Sequence, residues 1–143
     1  MQIPHDSFVL VADGRKSLFF RNQGDAEFPN FAVEGKDVDV NPAHHEQASD
    51  LAGRASNTLG SSMEEVDFHA LEEQRFAAAT AAMLKDRALR NDYEALVVVA
   101  PPRTLGELRK HYHKEVEKRL VAEVPKDLVN TPVAEIEEIL KAS

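Results

Sequence analysis

Val97, Val98, Val99 and Ala100 are apolar without a break, and Pro101 and Pro102 follow at once. A strand with no polar position has no face to offer to water, so it belongs inside a sheet that is covered on both sides. The prolines then end the ladder, because proline has no N–H to donate, and its fixed φ sets the direction in which the chain leaves. The next stretch, "RTLGELRKHYHKEVEKRL", is dense in Arg, Lys and His. Between positions 101 and 121 there are six bases against three acids, a net +3 in a chain of net charge −8, which leaves −11 for the remainder. A buried strand thus delivers the chain to a local reversal of sign.

The rest of the chain supplies partners for that strand. Phe8–Ala12, "FVLVA", is a second unbroken apolar run, and Asp13-Gly14 after it is a strong hairpin signal. "SLFFRN" reads as the returning strand. "FAVEGKDVDV" reads as a third, alternating at Val38 and Val40 and bending at Gly35. Residues 41–67 are polar and rich in Gly, Ser, Asn and Pro, longer than the ~12–15 residues usual for a loop in a compact domain. A helix is predicted over 69–90, with Phe76, Ala79, Thr80, Met83 and Leu84 on its apolar face and Asn91-Asp92 closing it. A second helix is predicted from Thr104, which with Glu107 makes a capping box. Its stripe is Leu105, Leu108, Tyr112, Val116 and Leu120. "VAEVPKDLV" is a short last strand and "TPVAEIEEIL" a closing helix, capped by Thr131 with Pro132 at its first position. The order β-β-β-loop-α-β-α-β-α predicts an α/β domain: a ribonuclease H-like mixed sheet with helices on its faces, spanning 1–143 as one domain.

Composition excludes several function classes. The chain has 143 residues, 43% of them hydrophobic and 29% charged, as expected of one globular domain. There is no Cys, so no disulfide, thiolate metal site or Cys nucleophile. No apolar run reaches the ~20 residues of a membrane span, and the start has no secretory pattern. The expected location is the cytoplasm.

At "LVADGRKSLFF", "SDLAGRASNTLG", "EEQRFAAATAAML", "LVVVAPPRTLGELRK" and "EVPKDLVNTPVAEIEEIL" the chain resembles the bacterial host-attachment protein family. The resemblance runs nearly end to end. That family is related to the middle domain of the archaeal and eukaryotic peptide release factor and to the ribosome-rescue protein Pelota. The resemblance implies a ribonuclease H-like core, a translation-associated role and an indirect part in attachment of bacteria to a host. The peptide-releasing domain carries a Gly-Gly-Gln tip, and this sequence has no such triplet, so peptidyl-tRNA hydrolysis is not carried over.

The candidate sites follow from residue chemistry. Arg103 stands between a strand's carboxyl end and a helix N-terminus, where open α/β sheets bind ligands. Thr104, Lys110 and Lys114 extend that position into an anion-binding surface for RNA, the ribosome or an acidic protein patch. The competing reading is a solvated helix face laced with pairs such as Glu107–His111 and Glu115–Arg119. In the polar stretch, Gly53 and Arg54 could approach a phosphate, although the sequence there is not a P-loop. His44 and His45 are adjacent, and His111 and His113 fall two apart on a predicted helix, so no His pair has metal-ligand spacing. No metal and no cofactor are expected. Asp13 and Asp127, each after a strand, are the only catalytic alternative, as acids of a metal-dependent nuclease. The expected function is therefore non-enzymatic binding, with a protein adaptor as a further alternative and the oligomeric state left open.

Overall fold

A computed structural model describes residues 1–37 and 61–143, with the side chains of 36, 37 and 61–67 left aside. Strand β1 is Phe8–Ala12, and every one of its residues is buried. β2 is Ser17–Asn22, β3 Phe31–Asp37, β4 Leu96–Val99 and β5 Leu120–Val124. They form one sheet in the order β3-β2-β1-β4-β5. β1 pairs antiparallel with β2, and β2 with β3, while β1–β4 and β4–β5 are parallel. β4 is therefore interior, as its unbroken apolar run requires.

Four helices complete the described residues: α1 Ser61–Leu89, α2 Pro102–Arg109, α3 Lys114–Arg119 and α4 Val133–Ala142. Phe8, Leu10, Ala12, Leu96, Val98 and Ala100 point to one face of the sheet, under residues of α1, α2 and α3. Val9, Val11, Val97 and Val99 point to the other, under Ile136 and Leu140 of α4. Because both faces of β1 and β4 are apolar, alternation alone cannot set their register. The turns set it instead. Gly14 follows β1 at φ 96, a conformation that glycine adopts without strain, and the prolines end β4. Opposite the β2 step from Phe19 to Phe20, β3 advances from Gly35 to Val33, so Glu34 is an extra residue. The bend anticipated at Gly35 is thus a bulge, which also turns this edge strand away from flat pairing.

Several boundaries differ from the sequence expectations. α1 begins at Ser61 rather than 69, so the last seven residues of the expected loop are helical. The acidic "MEEVD" segment suits a first helical stretch, and the Ser and Gly before it masked that signal. The buried face of α1 is Phe76, Ala77, Thr80, Ala81, Leu84 and Ala88, whereas Ala79 and Met83 lie at its margin. The small alanines let the helix approach the sheet closely. At its end Asn91 takes φ 56, its N–H bonds the Ala88 carbonyl (3.0 Å), and the Asp92 N–H bonds that of Arg87 (2.9 Å). These two bonds are a Schellman closure. The basic segment is two helices, not one. α2 stops at Arg109, and His113 caps α3 by accepting from the Glu115 N–H at 3.1 Å. Leu105, Leu108 and Val116 are buried, with Tyr112 and Leu120 packed beside them, so one apolar stripe is shared by two helices, a turn and a strand. Pro132 is the N-cap of α4 rather than its first residue, and no side chain caps it. β5 ends at Val124; Leu128 and Val129 are buried beyond it.

Candidate functional site

β1, β4 and β5 run parallel, so their carboxyl ends share one edge of the sheet. There the connections diverge, since β1 turns back into β2 on one side and β4 leads through α2 and α3 to β5 on the other. Such a divergence at strand ends is where ligands settle in open α/β sheets.

The β1–β2 turn builds the first wall. One carboxylate oxygen of Asp13 accepts from the backbone N–H groups of Arg15 and Lys16, both at 2.9 Å. Exposed Arg15 and half-buried Lys16 lie in this Asx turn, and Lys16 Nζ donates to Asn130 Oδ1 at 2.8 Å. A Cβ on Gly14 would meet Thr104 Oγ1 at 3.3 Å and Glu73 Cγ at 3.9 Å. The turn therefore rests against α1 and the first turn of α2. Gly14→Ala combines this contact with a positive φ, and it should cost about 1–2 kcal/mol in a denaturant melt. A loss below ~0.3 kcal/mol would mean that the turn relaxes freely.

The second wall is the start of α2. Pro101 is its N-cap and Pro102 its first residue. The first backbone bond runs from the Leu105 N–H to the Pro101 carbonyl at 3.0 Å. Thr104 is thus not the cap: it lies inside the first turn and is buried. The chain leaves the sheet at Pro101 already extended, and a proline is favourable at the first helical position, so the helix starts two residues early. Neither proline has an N–H, which leaves Arg103 and Thr104 as the first-turn donors without a helical partner. Arg103 is 72% exposed, but its Nε sits 2.9 Å from a carboxylate oxygen of Glu73 on α1. It is paired rather than bare. Beyond β5, exposed Lys126 and Asp127 complete the edge.

Lys110 follows the last residue of α2 and Lys114 opens α3, so neither stands in the first turn of α2. α2 and α3 lead from the carboxyl end of β4 to Leu120, which pairs with Leu96 at its amino end. Arg119 accordingly donates to the Tyr93 carbonyl and to Asn91 Oδ1, both at 2.9 Å, at the opposite end of the sheet. The basic segment is also largely neutralised. Besides Arg103, Arg109 pairs with Glu123, Lys110 with Glu107, and both Lys118 and Arg119 with Glu115. Of the two pairs named for the solvated-face reading, Glu115–Arg119 forms, while Glu107 takes Lys110 instead of His111. The Arg119 and Lys118 hydrogen bonds hold the Glu115 carboxyl below its usual range. Only Lys114 of the six bases has no acidic partner among the described residues. The side chains that sequence reading passed over are Arg15, Lys16 and Lys126. Their signal was available, since each follows the carboxyl end of a strand as Arg103 does.

Asp13 and Asp127 stand beyond β1 and β5 with β4 between them. Two strand spacings separate those strands by about 10 Å, while Asp13 is engaged by its own turn. Among the described residues no three His, Asp or Glu side chains gather as a metal site. Gly53, Arg54, His44 and His45 lie outside the described residues.

The fold is an α/β domain with a mixed sheet, and basic residues stand in the segments that follow the carboxyl ends of its three parallel strands. The profile of bacterial archaeo-eukaryotic release factor family 12 matches residues 6–140, and the chain belongs to that family. Membership suggests a translation-related or RNA-associated role. No curated protein matches the sequence. Among the described residues no helix is long and apolar enough to cross a membrane.

Proposed function

We propose that this chain is a non-enzymatic, cytoplasmic binding protein that associates with structured RNA, foremost that of the ribosome, through the carboxyl edge of its sheet. The observation that supports this reading is that Arg15 and Lys16, Arg103, and Lys126 follow the carboxyl ends of three neighbouring parallel strands, with Arg15 and Lys126 in no ion pair among the described residues. In this reading Arg103 and the first-turn N–H groups of Arg103 and Thr104 take a phosphate, and Arg15 and Lys126 take its neighbours. The acidic remainder of the chain repels polyanions that approach elsewhere. The strand order supports a ribonuclease H-like core. The likeness to the host-attachment family then fits an effect on attachment exerted from within the cell.

Co-sedimentation with ribosomes over a salt series tests the reading: binding at low salt should fall as a power of salt concentration. Absence of the protein from the ribosomal fractions at every salt concentration would end it. The purified protein is further expected to hydrolyse neither RNA nor DNA nor peptidyl-tRNA with magnesium or manganese. Turnover that disappears in Asp13→Asn would replace the binding reading with a nuclease.

A further inference from the structure

We propose that Glu73 is an internal competitor for the RNA phosphate and thereby sets the affinity of this edge; the inference rests on the binding reading above. Arg103 is the one cation of the edge held by a carboxylate among the described residues, at 2.9 Å. Glu73 is well placed to hold it. It projects from α1, a 29-residue helix, rather than from a loop. Its Cγ lies against the Gly14 position, so its side chain is seated between the β1–β2 turn and the first turn of α2. A carboxylate already positioned this way loses little freedom in forming the pair. It occupies the guanidinium that a phosphate would otherwise take.

An incoming phosphate must therefore displace a carboxylate before it gains Arg103, whereas contacts with Arg15 and Lys126 carry no such cost. The remaining lobe of the guanidinium and its 72% exposure make the exchange possible without moving a helix. Glu73 and phosphate are alternatives at one group, so removing the carboxylate strengthens binding, and only while Arg103 is present.

The test measures binding of ribosomes and of a short RNA hairpin at low salt by the wild type, Glu73→Gln, Arg103→Ala and the double variant. Glu73→Gln should tighten binding about threefold to fivefold, the size of an exposed ion pair. In the Arg103→Ala background the same change should matter less than about twofold. Equal affinity of Glu73→Gln and the wild type overturns the inference and leaves the binding reading standing. An undiminished gain without Arg103 also overturns it, because Glu73 would then act only as one more repelling charge. Failure of both wild type and Glu73→Gln to bind either probe removes the binding reading and the inference together. Thermal melts verify that all four proteins are folded.

Discussion

Phe8→Ala is expected to cost about 3–5 kcal/mol, among the largest effects a single truncation can have in this chain. Phe8 opens β1 and is fully buried. Its ring stacks on Phe19 at 5.6 Å and on Tyr93 at 5.3 Å. Two guanidinium groups lie against it, Arg21 at 5.1 Å and Arg87 at 4.9 Å from its centroid. The same cations pair with Glu34 and Asp92, which ties β2, β3 and the end of α1 together above the ring. Tyr93 donates to the Leu84 carbonyl at 2.9 Å, and burial pushes its hydroxyl up to about 12, so it remains a neutral donor. Removing the ring opens a cavity and strips the guanidiniums of their π-face at once. Against a total stability of roughly 5–15 kcal/mol this is a large fraction, and the melting temperature should fall by roughly 10 °C or more. Phe28→Ala is the control. Phe28 is 68% exposed and its removal should cost no more than about 1 kcal/mol. Comparable losses of stability in the two variants would show that the aromatic cluster does not organise this end of the sheet.

The second large effect is on binding. Arg15→Ala, Arg103→Ala and Lys126→Ala combined should weaken ribosome association roughly 10–100-fold at low salt, taking each exposed charge pair at up to ~1 kcal/mol. The slope of log affinity against log salt should shrink by about 2–3, since each phosphate that a cation neutralises adds about 0.7–0.9 to it. All three side chains are exposed, so the fold should be retained. Lys110→Ala with Lys118→Ala removes the same kind of charge from the segment that sequence reading favoured. On the edge reading it should leave affinity and slope nearly unchanged, because neither lysine stands in a segment that directly follows the carboxyl end of a parallel strand. The opposite ranking would return the site to the face of α2 and α3 and withdraw the edge.

Local chemistry made a good part of this protein legible. Two unbroken apolar runs required strands covered on both faces, and β1 and β4 are buried throughout. Asp13-Gly14 announced its turn through the positive φ that glycine tolerates and the short carboxylate that accepts from the next N–H groups. Pro101 and Pro102 announced the end of the sheet because neither can donate to it. These features depend on a residue and its near neighbours, so they survive without knowledge of the rest.

The site could not be read in the same way. Leu105, Leu108, Tyr112 and Val116 recur at helical spacing whether or not the helix breaks, and only the His113 cap and the return of the chain to Leu120 reveal the break. Lys110 and Lys114 looked like neighbours of Arg103 because they follow it in sequence, yet α2 and α3 carry the chain away from that edge. Arg15, Arg103 and Lys126 are far apart in sequence and fall at one edge of the sheet only because β1, β4 and β5 are parallel. Glu73 and Arg103 are distant in sequence too, and are joined by the packing of α1 beside α2. Strand pairing and helix docking bring distant charges together, and Coulomb interactions depend on distance in space. The residue types and most of the elements that carry them were therefore legible in the sequence alone, whereas the break between α2 and α3, and which charges are paired or stand at one edge, were decided only by the tertiary structure.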